Sequence, residues 1–250
     1  GHTHTAVGSG ALGANTTGDA NTAVGYLSLG LNTTGGGNVA IGYDALGANT
    51  TGAFNTAVGR SSLLLNTTGG YNVALGGGAM DSNVSGNNNT AVGFEALQEN
   101  TASNNTAVGY KALEENTTGS SNSALGNSAL TGNTTGIRNV ALGYAALGSN
   151  TTGNYNVAVG YDALGDADGS NNTAVGNDAL CKLTTGGNNV AMGINALDAC
   201  TTGGQNTAIG GFALDNNTTA ANNTAIGYQA LEMNTTGVQN TAVGSGAMEE

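Results

Sequence analysis

The sequence predicts an all-β protein, a parallel β-solenoid or β-roll of about fifteen 17-residue coils. Three observations predict it. A triplet of Ala, an aliphatic residue and Gly recurs, with its glycine at 8, 25, 42, 59, 76, 93, 109, 126, 143, 160, 176, 193, 210, 227 and 244. The spacing is 17 except for two steps of 16, ending at Gly109 and Gly176. Both short steps lose their residue around the Asn-Thr-Thr-Gly segment, at 100–104 and 166–171, as a surface loop tolerates and a packed segment does not. The apolar residues come in short runs bounded by Gly and by Asn-Thr-Thr-Gly, too short for helices and broken by glycine. A strict period implies one array, so residues 1–250 read as a single repeat solenoid, with residues 1–3 as a cloning remnant.

Each coil is then justified in order. Four places before the glycine stands Asn in every coil but the first, where His4 takes its place. The run Asn-Thr/Val-Ala-aliphatic that follows is β-branched and reads as a short strand. The glycine is a bend with no room for a Cβ. Tyr often follows, at Tyr26, Tyr43, Tyr110, Tyr144, Tyr161 and Tyr228, and the run Tyr-x-Ala-Leu reads as a second strand. Asn-Thr-Thr-Gly closes the coil as a turn. Stacked at about 4.8 Å, such coils form parallel sheets along a rod of roughly 70 Å.

Stacking turns each repeated residue into a column. Asn21, Asn38, Asn55, Asn72, Asn89, Asn105, Asn122, Asn139, Asn156, Asn172, Asn189, Asn206, Asn223 and Asn240 form one candidate ladder, in which each side chain bonds toward the next coil. Asn15, Asn32, Asn49 and Asn66 begin a second. Strand side chains alternate, so the Ala and the aliphatic residue of the first run point oppositely, as do Ala and Leu of the second. Both faces would then be apolar and only one could face a core. The other face calls for cover, which further copies around a symmetry axis would supply.

Composition excludes several functions. The chain holds 44 Gly, no Pro and no Trp among 250 residues, with 38% apolar residues in register, which argues against disorder. Net charge is −12, with Arg60, Lys111, Arg138 and Lys182 as the fixed cations, so no nucleic-acid backbone is an expected partner. No apolar run approaches the 18 residues of a membrane span, so no membrane insertion is expected of this segment. No signal peptide is visible, and the chain reads as part of something longer. Histidine occurs only at His2 and His4, near one end, which leaves no His-based triad or zinc site. No cofactor and no enzyme activity are expected, because a repeating surface offers no unique convergent pocket.

Four features compete for chemical roles. Asp166 and Asp168, in Gly-Asp-Ala-Asp-Gly-Ser, resemble the opening of a calcium loop without its later ligands, so they are a weak metal candidate. Cys181 and Cys200 lie in adjacent coils with Cα atoms expected roughly 8 Å apart, longer than a relaxed disulfide, so two free thiols are expected. The Asn-Thr-Thr triplets, as at Asn15, Asn32 and Asn116, are formal glycosylation acceptors that a loop ladder explains without sugar. The pairs Thr16-Thr17, Thr33-Thr34, Thr50-Thr51, Thr67-Thr68, Thr117-Thr118, Thr134-Thr135 and Thr151-Thr152 would stack into two ranks, an alternative ice-facing surface. The adjacent Thr of a pair do not point the same way as Thr-x-Thr on a strand would.

The unit Asn-[Thr/Val]-Ala-[Val/Ile/Leu]-Gly-Tyr-x-Ala-Leu, repeated from His4 to Met248, resembles the Asn-Ser-Val-Ala-Ile-Gly coils of trimeric autotransporter adhesin heads. With Asn-Thr-Thr-Gly it also resembles arrays in phage tail-fibre-like proteins. The resemblance implies a left-handed parallel β-roll in a homotrimer, displayed extracellularly on a cell surface or virion. This chain departs from the adhesin pattern in its coil of 17 rather than about 14 residues, and shows no neck, stalk, anchor or chaperone domain. The expected function is a non-enzymatic fibre or adhesin segment, a stiff rod presenting variable loop residues or tyrosines to a host surface glycan or protein. The alternatives are ice binding through the Thr ranks and a purely structural spacer.

Overall fold

The computed structural model describes residues 3–249. His2 lies outside the described residues. The chain divides into two compact units, residues 1–122 and 123–250. The first carries seven strands: β1 (Thr5–Val7), β2 (Thr22–Val24), β3 (Val39–Ile41), β4 (Thr56–Val58), β5 (Val73–Leu75), β6 (Thr90–Val92) and β7 (Thr106–Val108). The second carries eight: β8 (Ser123–Leu125), β9 (Val140–Leu142), β10 (Val157–Val159), β11 (Thr173–Val175), β12 (Val190–Met192), β13 (Thr207–Ile209), β14 (Thr224–Ile226) and β15 (Thr241–Val243). Within each unit the strands pair in parallel and in chain order, each residue beside its own copy, as Thr22↔Val39, Ala23↔Ala40 and Val24↔Ile41, or Val190↔Thr207, Ala191↔Ala208 and Met192↔Ile209. No helix occurs among the described residues. The fold is a parallel β-solenoid with coils of about 17 residues.

Among the described residues there is one strand per coil, and the expected second strand is absent. Its residues alternate between ordinary and left-handed backbone, with φ of 52° at Leu27 and 51° at Leu29, then 55° at Asp44 and 52° at Leu46. Successive amides therefore do not alternate as in a strand. The Leu27 N–H donates down to Ser9 O at 3.0 Å, and the Leu29 N–H donates up to Ala45 O at 3.0 Å. A left-handed L-residue costs about 1–2 kcal/mol, which these in-register bonds offset coil after coil. The twist also overturns the expectation that Ala and Leu of this run point to opposite faces. Ala45 and Leu46 are both fully buried, as are Ala96 with Leu97 and Ala163 with Leu164.

The core is correspondingly thin. It consists of the strand Ala column (Ala23, Ala40, Ala57), the Ala-Leu pairs and the two Asn columns. Burying each Leu contributes about 1.5–3 kcal/mol. The bend glycines enforce the coil spacing: Gly25 has φ 138°, and a Cβ there would meet Gly42 O at 2.3 Å. No L-residue fits that position.

The first Asn column bonds side chain to backbone. Asn38 Nδ2 donates to Gly52 O at 2.9 Å, and Asn38 Oδ1 accepts the Asn55 N–H at 2.9 Å. His4 begins this column as its first rung, its Nδ1 accepting the Asn21 N–H at 3.3 Å. The second column bonds amide to amide: Asn49 Nδ2 donates to Asn32 Oδ1 at 2.7 Å, and Asn66 Nδ2 to Asn49 Oδ1 at 2.9 Å. In three successive coils that second position holds Ala167, Leu183 and Cys200 instead. Asn150 Oδ1 and Asn217 Oδ1, on either side of the interruption, are buried without a hydrogen-bond partner.

Candidate functional site

Because the strand Ala points inward, the residues on either side of it point outward. The outward column before the bend is Val7, Val24, Ile41, Val58, Leu75, Val92 and Val108 in the first unit, and Leu125, Leu142, Met192, Ile209 and Ile226 are among its members in the second. Ile41 is 39% exposed, Leu75 37% and Leu125 48%. The partner column, two residues earlier, is Thr or Val throughout except for Ser123. Neither column contains a charge, on a chain whose net charge is −12. At about 4.8 Å per coil and 3.3 Å per residue, each unit displays roughly 300 Å² of charge-free sheet, one column of it aliphatic and the other more Thr than Val.

The tyrosines of the position after the bend stand beside this face and pack on one another. Tyr26 and Tyr43 stack with centroids 5.2 Å apart, as do Tyr144 and Tyr161 at 5.2 Å. Phe94 stacks on Tyr110 at 5.8 Å, and Phe212 meets Tyr228 edge-on. A second aromatic position, five residues before the bend glycine, has no counterpart in the sequence-based reading. There Phe54 stacks on Tyr71 at 5.1 Å, and Arg138 lies 5.4 Å from the Tyr155 ring while its Nη1 donates to the phenol oxygen at 2.7 Å.

The Thr ranks differ from one another. The first Thr of a pair turns its hydroxyl along the stack, as Thr16 Oγ1 donates to Thr33 O at 2.9 Å and Thr50 Oγ1 to Thr67 O at 3.0 Å. The second Thr, at Thr17, Thr34, Thr51, Thr68, Thr118, Thr135 and Thr152, is exposed. The second rank is thus the more open of the two, while the first is exposed at Thr16, Thr117 and Thr151 and half-buried at Thr33, Thr50, Thr67 and Thr134. The asparagines of Asn-Thr-Thr, such as Asn32 and Asn116, are fully buried with their amides bonded in the ladder.

Asp168 of the weak metal candidate takes part in closing its coil. In ordinary coils three N–H groups of the loop, such as Thr50, Thr51 and Gly52, converge on one carbonyl, Thr67 O. In the shortened coil Asp168 Oδ1 replaces that carbonyl, accepting from Thr151 at 3.0 Å, Thr152 at 2.6 Å and Gly153 at 3.1 Å. Burial works to raise the Asp168 pKa, but the bonds from Thr152, Thr151 and Gly153 outweigh it and hold the carboxyl below its ordinary range. Asp168 closes the coil and is no free ligand, and Asp166 is exposed beside it.

Among the described residues, the metal-type side chains that do converge are Asp162, Asp178 and Cys181, with ligand atoms within 4.8 Å of one another. Burial and the neighbouring Asp162 push the Cys181 thiol up to about 12, so it is a protonated donor to Asp162 Oδ2 at 3.3 Å and no thiolate. Burial, followed by the charges of Asp162 and Asp198, raises Asp178. Both cysteines are free, and burial pushes Cys200 up to about 11. Hydrogen bonds donated to Glu114 and Glu95 hold Lys111 above the ordinary lysine range.

No protein-family model matches the chain, and no curated protein sequence matches it.

Proposed function

We propose that the chain is a non-enzymatic extracellular fibre or adhesin segment that assembles as a homotrimer through its outward strand face. The observation that carries this reading is the charge-free column of half-buried to exposed aliphatic residues on that face in each unit. Loss of charge is what separates the core of a protein interface from ordinary surface. The motif likeness to trimeric adhesin heads and tail-fibre arrays supports a closed three-fold arrangement and display outside the cell. The remaining surface, with its loops and aromatic pairs, is left for contact with a host glycan or protein.

Ice binding is the second reading, favoured by the exposed outer Thr rank and by the outward strand threonines such as Thr22, Thr56 and Thr90. An ice face needs even relief, whereas Leu75, Leu125, Leu142 and Met192 project beyond the Val at the same position in neighbouring coils. Uneven relief suits interdigitation with side chains, which places self-assembly first and a passive spacer close behind it. The test is the double variant Ile41→Lys and Leu142→Lys. It should dissociate the assembly in light scattering while leaving the far-ultraviolet circular dichroism unchanged. An unaltered assembly would refute this face as the interface.

A further inference from the structure

The position after the bend carries a side chain in most coils, and the column runs Tyr26, Tyr43, Arg60, Gly77, Phe94, Tyr110 in the first unit. Gly77 leaves one place in that column without a side chain. The result is a notch of about 310 Å³ between the coil of Arg60 and the coil of Phe94.

Its walls differ in chemistry. Tyr110 covers one face of the Phe94 ring, and the other side of that ring borders the coil of Gly77, where a Cβ would lie 3.7 Å from Phe94 Cδ2. The exposed guanidinium of Arg60 stands on the opposite rim. Asp81, Glu95 and Gln98 also line it, with Ser61 and Gly78. Glu95 is pinned by Lys111, Nζ to Oε2 at 3.1 Å, and Gln98 Nε2 reaches Asp81 Oδ2 at 3.5 Å. Two coil rises separate the Arg60 and Phe94 ranks by about 9.6 Å. A ring inserted between two surfaces needs about 3.5–4 Å on each side.

We infer that this notch binds one neutral pyranose unit, stacked on the free face of Phe94 with its hydroxyl groups on Asp81, Glu95, Gln98 and Arg60. The C–H face of a sugar meets the electron-rich face of an aromatic ring favourably. Hydroxyl groups both donate and accept, which matches two carboxylate acceptors, one amide and one guanidinium donor. A planar aromatic ligand would bring no further donor to those carboxylates, and an acidic sugar would meet three carboxylates, Asp81, Glu95 and the Glu114 that shares Lys111, against the two cations Arg60 and Lys111. The volume is at the lower end for small-molecule sites, room for a single ring. This inference deepens the surface-attachment reading by naming a ligand class and a place, and in that sense rests on it.

The test uses the full chain with glucose, galactose, mannose and N-acetylglucosamine as probes and glucuronate as the charged comparison. Amide chemical shifts are followed by NMR. At least one neutral sugar should bind at millimolar concentration, shifting the amides of Gly77, Gly78 and Glu95, and should bind at least tenfold more tightly than glucuronate. Gly77→Tyr places in the notch the residue found there in other coils, where its Cβ meets only ordinary contacts, so it should fold as the parent and lose binding more than tenfold. Phe94→Ala should lose binding to a similar degree. No shift with any neutral sugar at tens of millimolar overturns the inference, as does equal binding by Gly77→Tyr or tighter binding of glucuronate. The mass of the assembly is read separately, so a failed notch and a failed fibre are distinguishable.

Discussion

Removing the Asn side chain at two equivalent places should have very different costs. Asn49 Nδ2 donates to Asn32 Oδ1 at 2.7 Å and to Gly52 O at 2.9 Å, while its Oδ1 accepts from Asn66 at 2.9 Å. In Asn49→Ala, Gly52 O keeps its bond from Asn38, and Asn66 keeps its bond to Gly69 O. Asn32 Oδ1 is left buried and unpaired. A buried acceptor without a donor costs about 1–3 kcal/mol. Asn217 occupies the same position beyond the interruption, where its Nδ2 donates to Ala220 O at 3.1 Å and its Oδ1 already has no partner. Asn217→Ala removes that orphan, and Ala220 O keeps its bond from Asn206. Both variants open a similar cavity, so the orphan created in one and relieved in the other sets the difference at about 2 kcal/mol or more. Urea unfolding gives the global effect. Hydrogen exchange of amides in the altered coil and its two neighbours gives the local one, which is the sharper readout in a repeat array. Equal losses in the two variants would refute the ladder account and leave cavity formation as the whole effect.

Three further outcomes follow from the same geometry. Gly42→Ala, at φ 141° with a Cβ placed 2.4 Å from Gly59 O, should lower stability by more than about 3 kcal/mol in urea unfolding, by strain against rigid backbone. Asp168→Ala should cost about 2 kcal/mol at neutral pH by stranding three N–H groups. The Asp168 pKa is lowered in the folded state, so its contribution is present above the unfolded carboxyl pKa and is lost as pH falls through the folded value; the acid limb of a stability–pH curve should therefore flatten in the variant. The thiol pKa values are raised to about 12 at Cys181 and about 11 at Cys200 from the ordinary 9.0, so their contribution is complete below pH 9 and declines above it toward those values. Stability should fall across that window in the parent and less so in a Cys181→Ala, Cys200→Ala double variant.

Much of this architecture was legible because stacking makes each coil impose the same demand on one position. The bend glycine and the strand Ala stay constant, and the Asn of both columns nearly so, for reasons that act at every coil, and the period exposes them. The run Tyr-x-Ala-Leu misled because alternation of residues was taken as alternation of direction. Left-handed φ at Leu29 or Leu46 is unfavourable in isolation and arises only from bonds to the coils above and below. The bonding of Asp168 was not legible for a related reason: its carboxylate stands where a neighbouring coil needs a carbonyl, a role visible only across two coils. The notch at Gly77 left a trace in Gly76-Gly77-Gly78, where a side chain is missing from the position most often held by Tyr. Its consequence depends on Phe94, a whole coil away.

The central claim is that the outward strand face is covered by further copies of this chain. Sedimentation equilibrium of the intact protein tests it most directly, against the 24.2 kDa chain. The account predicts a mass of three chains, unchanged by dilution through the micromolar range. A single-chain mass would contradict it and leave a charge-free sheet open to water, the surface from which ice binding would have to be argued.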